Sequence, residues 1–206
     1  MLLSQQKSRY HSKYHLTAIK LIIAATALIS WPQLHAANYD KGQAITEILI
    51  NAGGGDQPHA RQQNRSYGID YNFYRFTRSK YQQLLIGVSY THIEADHSDA
   101  SLSNDLYAIS LYPQLNLYLN ARHWGQPYFF VRALGPSYLS DNQLGERQQS
   151  HNFAFQAQVG AGTYINLGAG RKGSITLSWK HFSNANLFSD NDGFDLPLML
   201  NIGLEF

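Results

Sequence analysis

The sequence predicts an all-β chain, an eight-stranded antiparallel transmembrane β-barrel with short periplasmic turns and longer outer loops. Three observations carry this reading. Apolar and polar residues alternate through eight segments of about ten to fourteen residues. Long and short connections take turns between those segments. The last segment ends on an aromatic residue, Phe206, as exported barrels commonly do. A mean hydropathy of −0.34 fits, because alternating strands average out to moderate polarity. Aromatic residues reach 13%, with 14 Tyr, which suits girdles at the two lipid–water interfaces.

The segments follow in order. Near 44–53, Thr46, Ile48 and Ile50 oppose Glu47 and Asn51. Near 66–76, Tyr67, Ile69, Tyr71 and Phe73 oppose Asp70 and Asn72. Near 80–92, Leu84, Ile86, Val88 and Tyr90 oppose Gly87, Ser89 and Thr91. The fourth, near 105–119, sets Tyr107, Ile109, Leu111, Leu115, Leu117 and Leu119 against Ser110, Gln114 and Asn116. The fifth, near 127–138, has Phe129, Val131 and Ala133 opposite Arg132. In the sixth, near 152–166, Phe153, Phe155, Val159 and Ile165 face away from Gln156, Gln158, Gly160 and Asn166. The seventh carries Ile175, Leu177 and Trp179 on one face, and the eighth alternates from Leu196 to Phe206.

Long polar loops near 53–65, 93–104, 139–151 and 185–195 alternate with short turns near 77–79, 120–126 and 167–173. This is the pattern of outer-membrane barrels, whose short turns lie on the periplasmic side. Strands that are apolar outside and polar inside need closure, because open edges do not persist in lipid. A soluble sandwich or lipocalin-like barrel alternates too, but it turns its apolar face inward.

Residues 1–36 read as a signal peptide. Lys7, Arg9, Lys13 and Lys20 precede an apolar run over 21–31 that is short for a membrane span and is closed by Pro32. Leu34-His35-Ala36 offers a small-residue cleavage site, with cleavage after Ala36, or alternatively after Ala37. The expected mature domain is 37–206. It keeps twelve basic against fourteen acidic side chains, a net charge of −2, so no basic face argues for nucleic acid. With no cysteine, no disulfide framework supports the exported domain.

The chemistry is concentrated in His181-Phe182-Ser183-Asn184-Ala185. Residues two apart on a strand share a face, so His181 and Ser183 stand together with Ile175, Leu177 and Trp179 on the apolar side. With both termini periplasmic, the seventh strand runs outward and brings the pair to the outer rim of the lipid face. Histidine titrates in the range needed to take a serine proton. Its imidazole needs an acidic partner, for which Asp190, Asp192 and Asp195 are candidates in the same corner. Asn184 offers an amide N–H for a developing oxyanion.

Together with Asn191-Asp192-Gly193-Phe194-Asp195, this motif resembles the outer-membrane lipid A 3-O-deacylase family of the PagL type. That family joins an eight-stranded barrel to an H-x-S-N-A motif on the penultimate strand, followed by an Asn-x-Gly element and an acidic residue twelve positions after the serine. The resemblance implies a serine esterase that removes the ester-linked 3-hydroxyacyl chain at the 3 position of lipid A. It implies His181 as general base, Ser183 as nucleophile and Asp195 as the acidic partner. Asn184 is implied to organise the oxyanion site and Asn191 the loop. Lipid A in the outer membrane is the implied substrate, with no cofactor and no metal. The chain departs from the pattern at Asp195, where the best-known members have Glu, and at Asn186, where Gly is frequent. Outer-membrane phospholipase A is locally similar but is a larger barrel. A non-enzymatic structural or adhesion barrel is the competing class.

Counting back from Leu196 and Leu198, Asp195 falls on the inward face, away from His181. A bulge near Pro197, or a loop carrying Asp195 around the rim, resolves this. His92, Glu94, Asp96, His97 and Asp99 form a ligand-rich stretch without defined metal spacing and read as a solvated loop. Arg61, Arg65 and Arg147 read as ordinary loop residues, with substrate phosphates as the sharper alternative. Gly53-Gly54-Gly55 reads as a flexible exit from the first strand.

Overall fold

The computed structural model describes residues 42–206 apart from Ser98 and Ala100, so the expected signal segment lies outside the described residues. The barrel strands are β1 (Gln43–Asp56), β2 (Gln63–Ser79), β3 (Gln82–Asp96), β4 (Asp105–Tyr118), β5 (Gln126–Leu139), β8 (Phe153–Gly168), β9 (Arg171–Ser183) and β10 (Phe194–Glu205). A small hairpin, β6 (Gln143–Leu144) and β7 (Arg147–Gln148), sits in the loop between β5 and β8. The eight long strands close antiparallel in the order β1-β10-β9-β8-β5-β4-β3-β2. At about 3.3 Å per residue, strands of this length are ample to cross hydrocarbon at the usual barrel tilt.

All eight alternating segments are strands, and several run further than their alternation suggested. Gly53-Gly54-Gly55 is not a flexible exit. It stays in the ladder, with Gly54 opposite Arg65 and Leu198 and Gly55 opposite Asn64. Both Gly54 (φ 152°) and Gly55 (φ 139°) adopt backbone angles that side-chain-bearing residues avoid. A Cβ at Gly54 would also collide with the Asn64 carbonyl. The first outer connection is thereby shortened to residues 57–62.

The side chains decide between a membrane barrel and a soluble one. Ile50, Leu177 and Phe129 are 61%, 56% and 53% exposed on the outer wall, together with Ile48, Ile69, Val88, Ile109, Leu111, Leu200 and Ile202. The inside is polar and closed, holding Asp70, Asn72, Gln114, Asn116, Arg132, Gln158 and Lys180. Such a distribution is stable only with lipid outside.

The polar interior is held by connected hydrogen bonds. Arg132 Nη1 lies 2.6 Å from Asp70 Oδ2, its Nε donates to Gln114 Oε1 at 2.6 Å, and its guanidinium sits 3.8 Å from the Tyr112 ring centroid. Tyr112 donates to Asn72 Oδ1 at 2.8 Å, and Asn72 and Tyr164 both donate to Glu47, each at 2.8 Å. An aromatic layer of Tyr118, Tyr128, Phe130 and Tyr164 closes the short-turn end. At the other end, Ile93, Leu106, Leu139, Phe182, Phe194 and Leu196 form an apolar plug, into which the hairpin inserts Leu144. The plug lies beneath the long loops and makes a firm base for the rim.

The Asp70–Arg132 pair yields a stability prediction. Removing one member leaves a buried charge unpaired, which typically costs about 3–5 kcal/mol. Asp70→Ala is therefore expected to lower the midpoint of urea unfolding in micelles, followed by the mobility of the folded barrel on unheated gels. An unchanged midpoint refutes the role given to this pair.

Candidate active site

Strand β9 carries the strand-favouring residues Ile175, Thr176, Trp179 and Phe182 and pairs with β8 on one side and β10 on the other. Its even-numbered residues Ser174, Thr176, Ser178, Lys180 and Phe182 are buried inside the barrel. Ile175, Leu177, Trp179, His181 and Ser183 therefore face outward, as the alternation implied. His181 lies opposite Ala157 of β8 and Asp195 of β10. Trp179 stacks on the imidazole, with ring centroids 5.3 Å apart and an interplanar angle of 16°.

The parity conflict at Asp195 is resolved by a β-bulge. Leu196 pairs with Lys180 and Met199 with Ser178, so β10 spends one residue more than β9 over the same span. The extra residue falls at Pro197–Leu198, where proline has no N–H to withhold from the ladder. Leu196, expected to share the outer face of Leu198 and Leu200, instead points inward like Met199, and Asp195 stands directly opposite outward-facing His181. Gly55 makes room for the bulge, since a Cβ there would approach Pro197 Cγ to 2.9 Å.

Asp195 Oδ1 lies 3.0 Å from His181 Nδ1. A carboxylate only accepts, so Nδ1 carries the proton and donates, which leaves Nε2 as the basic nitrogen. Gly193 packs on the imidazole edge, and a Cβ there would stand 2.8 Å from Nε2. The ring is thus fixed by a stacked indole, a carboxylate and a glycine. Of the three candidate acids, only Asp195 meets the imidazole; Asp190 and Asp192 contribute backbone groups to the loop.

Ser183 ends β9 opposite Phe155, and its hydroxyl has no hydrogen-bond partner among the described residues. The chain then turns sharply through Ala185 (φ 56°) and Asn186 (φ 62°), two consecutive residues in a left-handed conformation that asparagine tolerates and alanine adopts only at a cost. Asn184 and Asn191 hold this corner. Asn184 is fully buried; its Nδ2 donates to the Asp190 carbonyl at 2.7 Å and its Oδ1 accepts from Asn186 N at 2.9 Å. Asn191 Oδ1 accepts from Asn184 N and its Nδ2 donates to Asn186 Oδ1, both at 2.8 Å.

The loop carrying β6 and β7 buttresses the corner. Asp192 N donates to the Gln148 carbonyl at 2.9 Å, Gln149 Nε2 to the Asp192 carbonyl at 2.8 Å and Arg147 Nε to the Gly193 carbonyl at 3.3 Å. Arg147 thus braces the loop. Arg61 meets Glu146 through its backbone, and Arg65 lines a separate outward cavity of about 470 Å³ with His92, Glu94, Asp96 and Asp105. The stretch expected as a solvated loop is strand as far as Asp96, because His92 and Glu94 pair with β2 and β4; Glu94 is taken up by His92 at 3.3 Å and Asp99 by Ser101. Among the described residues no three His, Asp or Glu side chains converge as metal ligands.

Sequence reasoning missed Gln57, which donates to Asp195 Oδ2 at 3.2 Å, and Asn64, which donates to the Asp195 carbonyl at 2.9 Å. Neither carries a local signal, since both belong to an ordinary polar stretch far from Asp195 in sequence. Gly193 stands in the Asn-x-Gly element, but its packing against the imidazole has no sequence signal of its own.

Comparison with known proteins bears on the fold and the family. The crystal structure of the outer membrane enzyme PagL is similar with a TM-score of 0.55 at 16% identity, covering 76% of this chain and 97% of that one. The crystal structure of Neisserial surface protein A follows with a TM-score of 0.50 at 12% identity, covering 81% and 98%. At these identities the likeness is one of fold. No curated protein sequence matches the chain. A family model described as lipid A 3-O-deacylase (PagL) matches residues 103–205, half of the chain and the part that holds His181, Ser183 and Asp195. The chain belongs to the PagL family of lipid A 3-O-deacylases.

Proposed function

We propose that this outer-membrane barrel is a serine esterase that releases the ester-linked 3-hydroxyacyl chain from the 3 position of lipid A. The observation that carries the reading is the 3.0 Å contact between His181 and Asp195 on the lipid face, one strand step from Ser183. That contact leaves Nε2 as the basic nitrogen of an imidazole on the same outward face as Ser183, which supports the reading of an activated serine at the outer rim of the barrel wall.

His181 Nε2 takes the Ser183 proton as Oγ attacks the ester carbonyl carbon. Asp195 holds the imidazole in the required tautomer and stabilises the imidazolium. The tetrahedral intermediate collapses as His181 returns the proton to the departing sugar hydroxyl, leaving an acyl-serine. Water, deprotonated by the same nitrogen, then releases the fatty acid and restores Ser183.

Asn184 and Asn191 support this reading by shaping the corner rather than by reaching outward. Asn184 N and Asn186 N are committed within the loop, which leaves the Ala185 N–H as that corner's donor for the oxyanion. The acyl chain lies along the outer wall below, where Trp179, Leu177, Val159 and Ala161 are neighbours across β9 and β8. Residues 1–36 act as the export signal.

Three outcomes are expected. In outer membranes, the wild-type protein removes one 3-hydroxyacyl chain from lipid A by mass spectrometry, and Ser183→Ala removes none. An untouched lipid A with the wild type favours the non-enzymatic barrel, and cleavage confined to phospholipid favours a phospholipase. Gly193→Ala pushes the imidazole off its position and is expected to reduce kcat by about 100-fold while the barrel still folds, since a misplacement near 1 Å costs that much. Full activity in that variant refutes the packing role of Gly193. N-terminal sequencing of the exported protein is expected to begin at Ala37, and an intact Met1 rules out the cleaved signal.

A further inference from the structure

The Asp195 carboxylate is gripped at both oxygens by different strands' neighbourhoods. Oδ1 meets His181 of β9, and Oδ2 accepts from Gln57, which follows β1 on the opposite side of β10. Gln57 is 2% exposed and uses both ends of its amide. Its Oε1 accepts from Asp195 N at 2.9 Å and from Asn64 Nδ2 at 2.6 Å. Its Nε2 donates to Asp195 Oδ2 and to the Gly193 carbonyl, each at 3.2 Å. One side chain therefore holds the backbone and the carboxylate of the acid, and also the glycine that bounds the imidazole.

The direction of these amides is not arbitrary. Backbone N–H groups can only donate, and they pin the network at both ends. Glu146 N donates to Gln62 Oε1 at 2.7 Å, which turns Gln62 Nε2 toward Asn64 Oδ1 at 2.8 Å. Asn64 Nδ2 must then donate, and it does so to Gln57 Oε1 and to the Asp195 carbonyl. At the far end, Asp195 N also requires Gln57 Oε1 as its acceptor. Both constraints leave the Gln57 amide hydrogens facing the Asp195 carboxylate. The interaction is charge-assisted and largely screened from water, so it is stronger than an ordinary amide contact.

We propose that Gln57 is a positioning residue for the esterase centre, clamping Asp195 so that its carboxylate stays on His181 Nδ1; this rests on the assignment of Asp195 as the partner of His181. An aspartate's terminal torsion is broad, and a carboxylate held at one oxygen alone rotates away from the imidazole readily. With Oδ2 fixed, Oδ1 has one place to be. Gln57 touches neither substrate nor the reacting atoms, so its effect belongs in kcat rather than in KM.

The test is a double-mutant cycle on purified protein in micelles with lipid A, each rate normalised to the barrel that runs as folded on an unheated gel. Gln57→Ala is expected to lower kcat by about 10- to 100-fold with KM within about twofold. In an Asp195→Ala background the same change is expected to cost less than about twofold, because the clamp has nothing left to hold. Gln57→Glu keeps the size but turns an acceptor toward the carboxylate, and it is expected to lose at least as much as Gln57→Ala; it also carries the test if the alanine variant folds poorly. Equal losses from Gln57→Ala in both backgrounds, a loss confined to KM, or unchanged kcat in either single variant overturns the clamp. Activity in Ser183→Ala, or none in the wild type, instead overturns the esterase reading itself.

Discussion

A closed sheet that turns one face to hydrocarbon and the other to a packed interior assigns each side chain a side, and the assignment alternates without choice along an unbroken strand. A site on the outer wall can draw only on outward positions. His181 and Ser183 satisfy this by their two-residue spacing on β9. Asp195 does not, if β10 is counted from Leu198 and Leu200, which are exposed. The extra residue at Pro197–Leu198 shifts the count by one, so that the apolar belt and the acid both face outward while Leu196 still fills the plug. The bulge in turn depends on Gly55, whose missing side chain leaves room for the proline ring.

This dependence explains which parts of the molecule are legible in its sequence. Alternation names all eight barrel strands, because lipid on one side and a filled interior on the other impose a period of two on each of them. The shared outward face of His181 and Ser183 is also legible, as is the clash of faces between Asp195 and Leu198, but the sequence leaves a bulge and a detour of the loop equally open, and only the pairing of β10 decides for the bulge. Gly53–Gly55 misleads. Three glycines in a row look like a hinge, yet they remain in the ladder because two neighbouring strands pack too closely for side chains there. The hairpin of β6 and β7 escapes, since two-residue strands have no period to detect. Gln57 escapes for a different reason: it is 138 residues from Asp195, and only closure of β1 on β10 brings them together.

The same strand serves stability and chemistry on opposite faces. Lys180 and Phe182 point inward on either side of outward His181. Lys180 is wholly buried, donating to Thr91 Oγ1 at 3.1 Å, and Phe182 belongs to the apolar plug. The backbone beneath the imidazole is therefore fixed from below by packing that the reaction never touches. This separation suits an esterase in lipid, because nothing in the polar interior needs to open for substrate to arrive. The cost falls on the rim, where Ala185 and Asn186 hold left-handed conformations secured by two buried or half-buried asparagines.

Placing the acid at the seam between β9 and β1 has a mechanical consequence. A carboxylate supported only by its own strand would follow every excursion of the loop at 184–193. Here its two oxygens answer to two different neighbours of β10, and Arg147 and Gln57 both hold the Gly193 carbonyl that precedes it. Motion of the loop toward or away from the membrane must strain bonds to the β1 side and to the hairpin together. The imidazole inherits that rigidity through its 3.0 Å contact with Asp195 and through Gly193 packed on its edge. Ser183, by contrast, ends its strand with an uncommitted hydroxyl, so in the proposed esterase the imidazole and its carboxylate are held fixed while the hydroxyl is left to turn toward the ester.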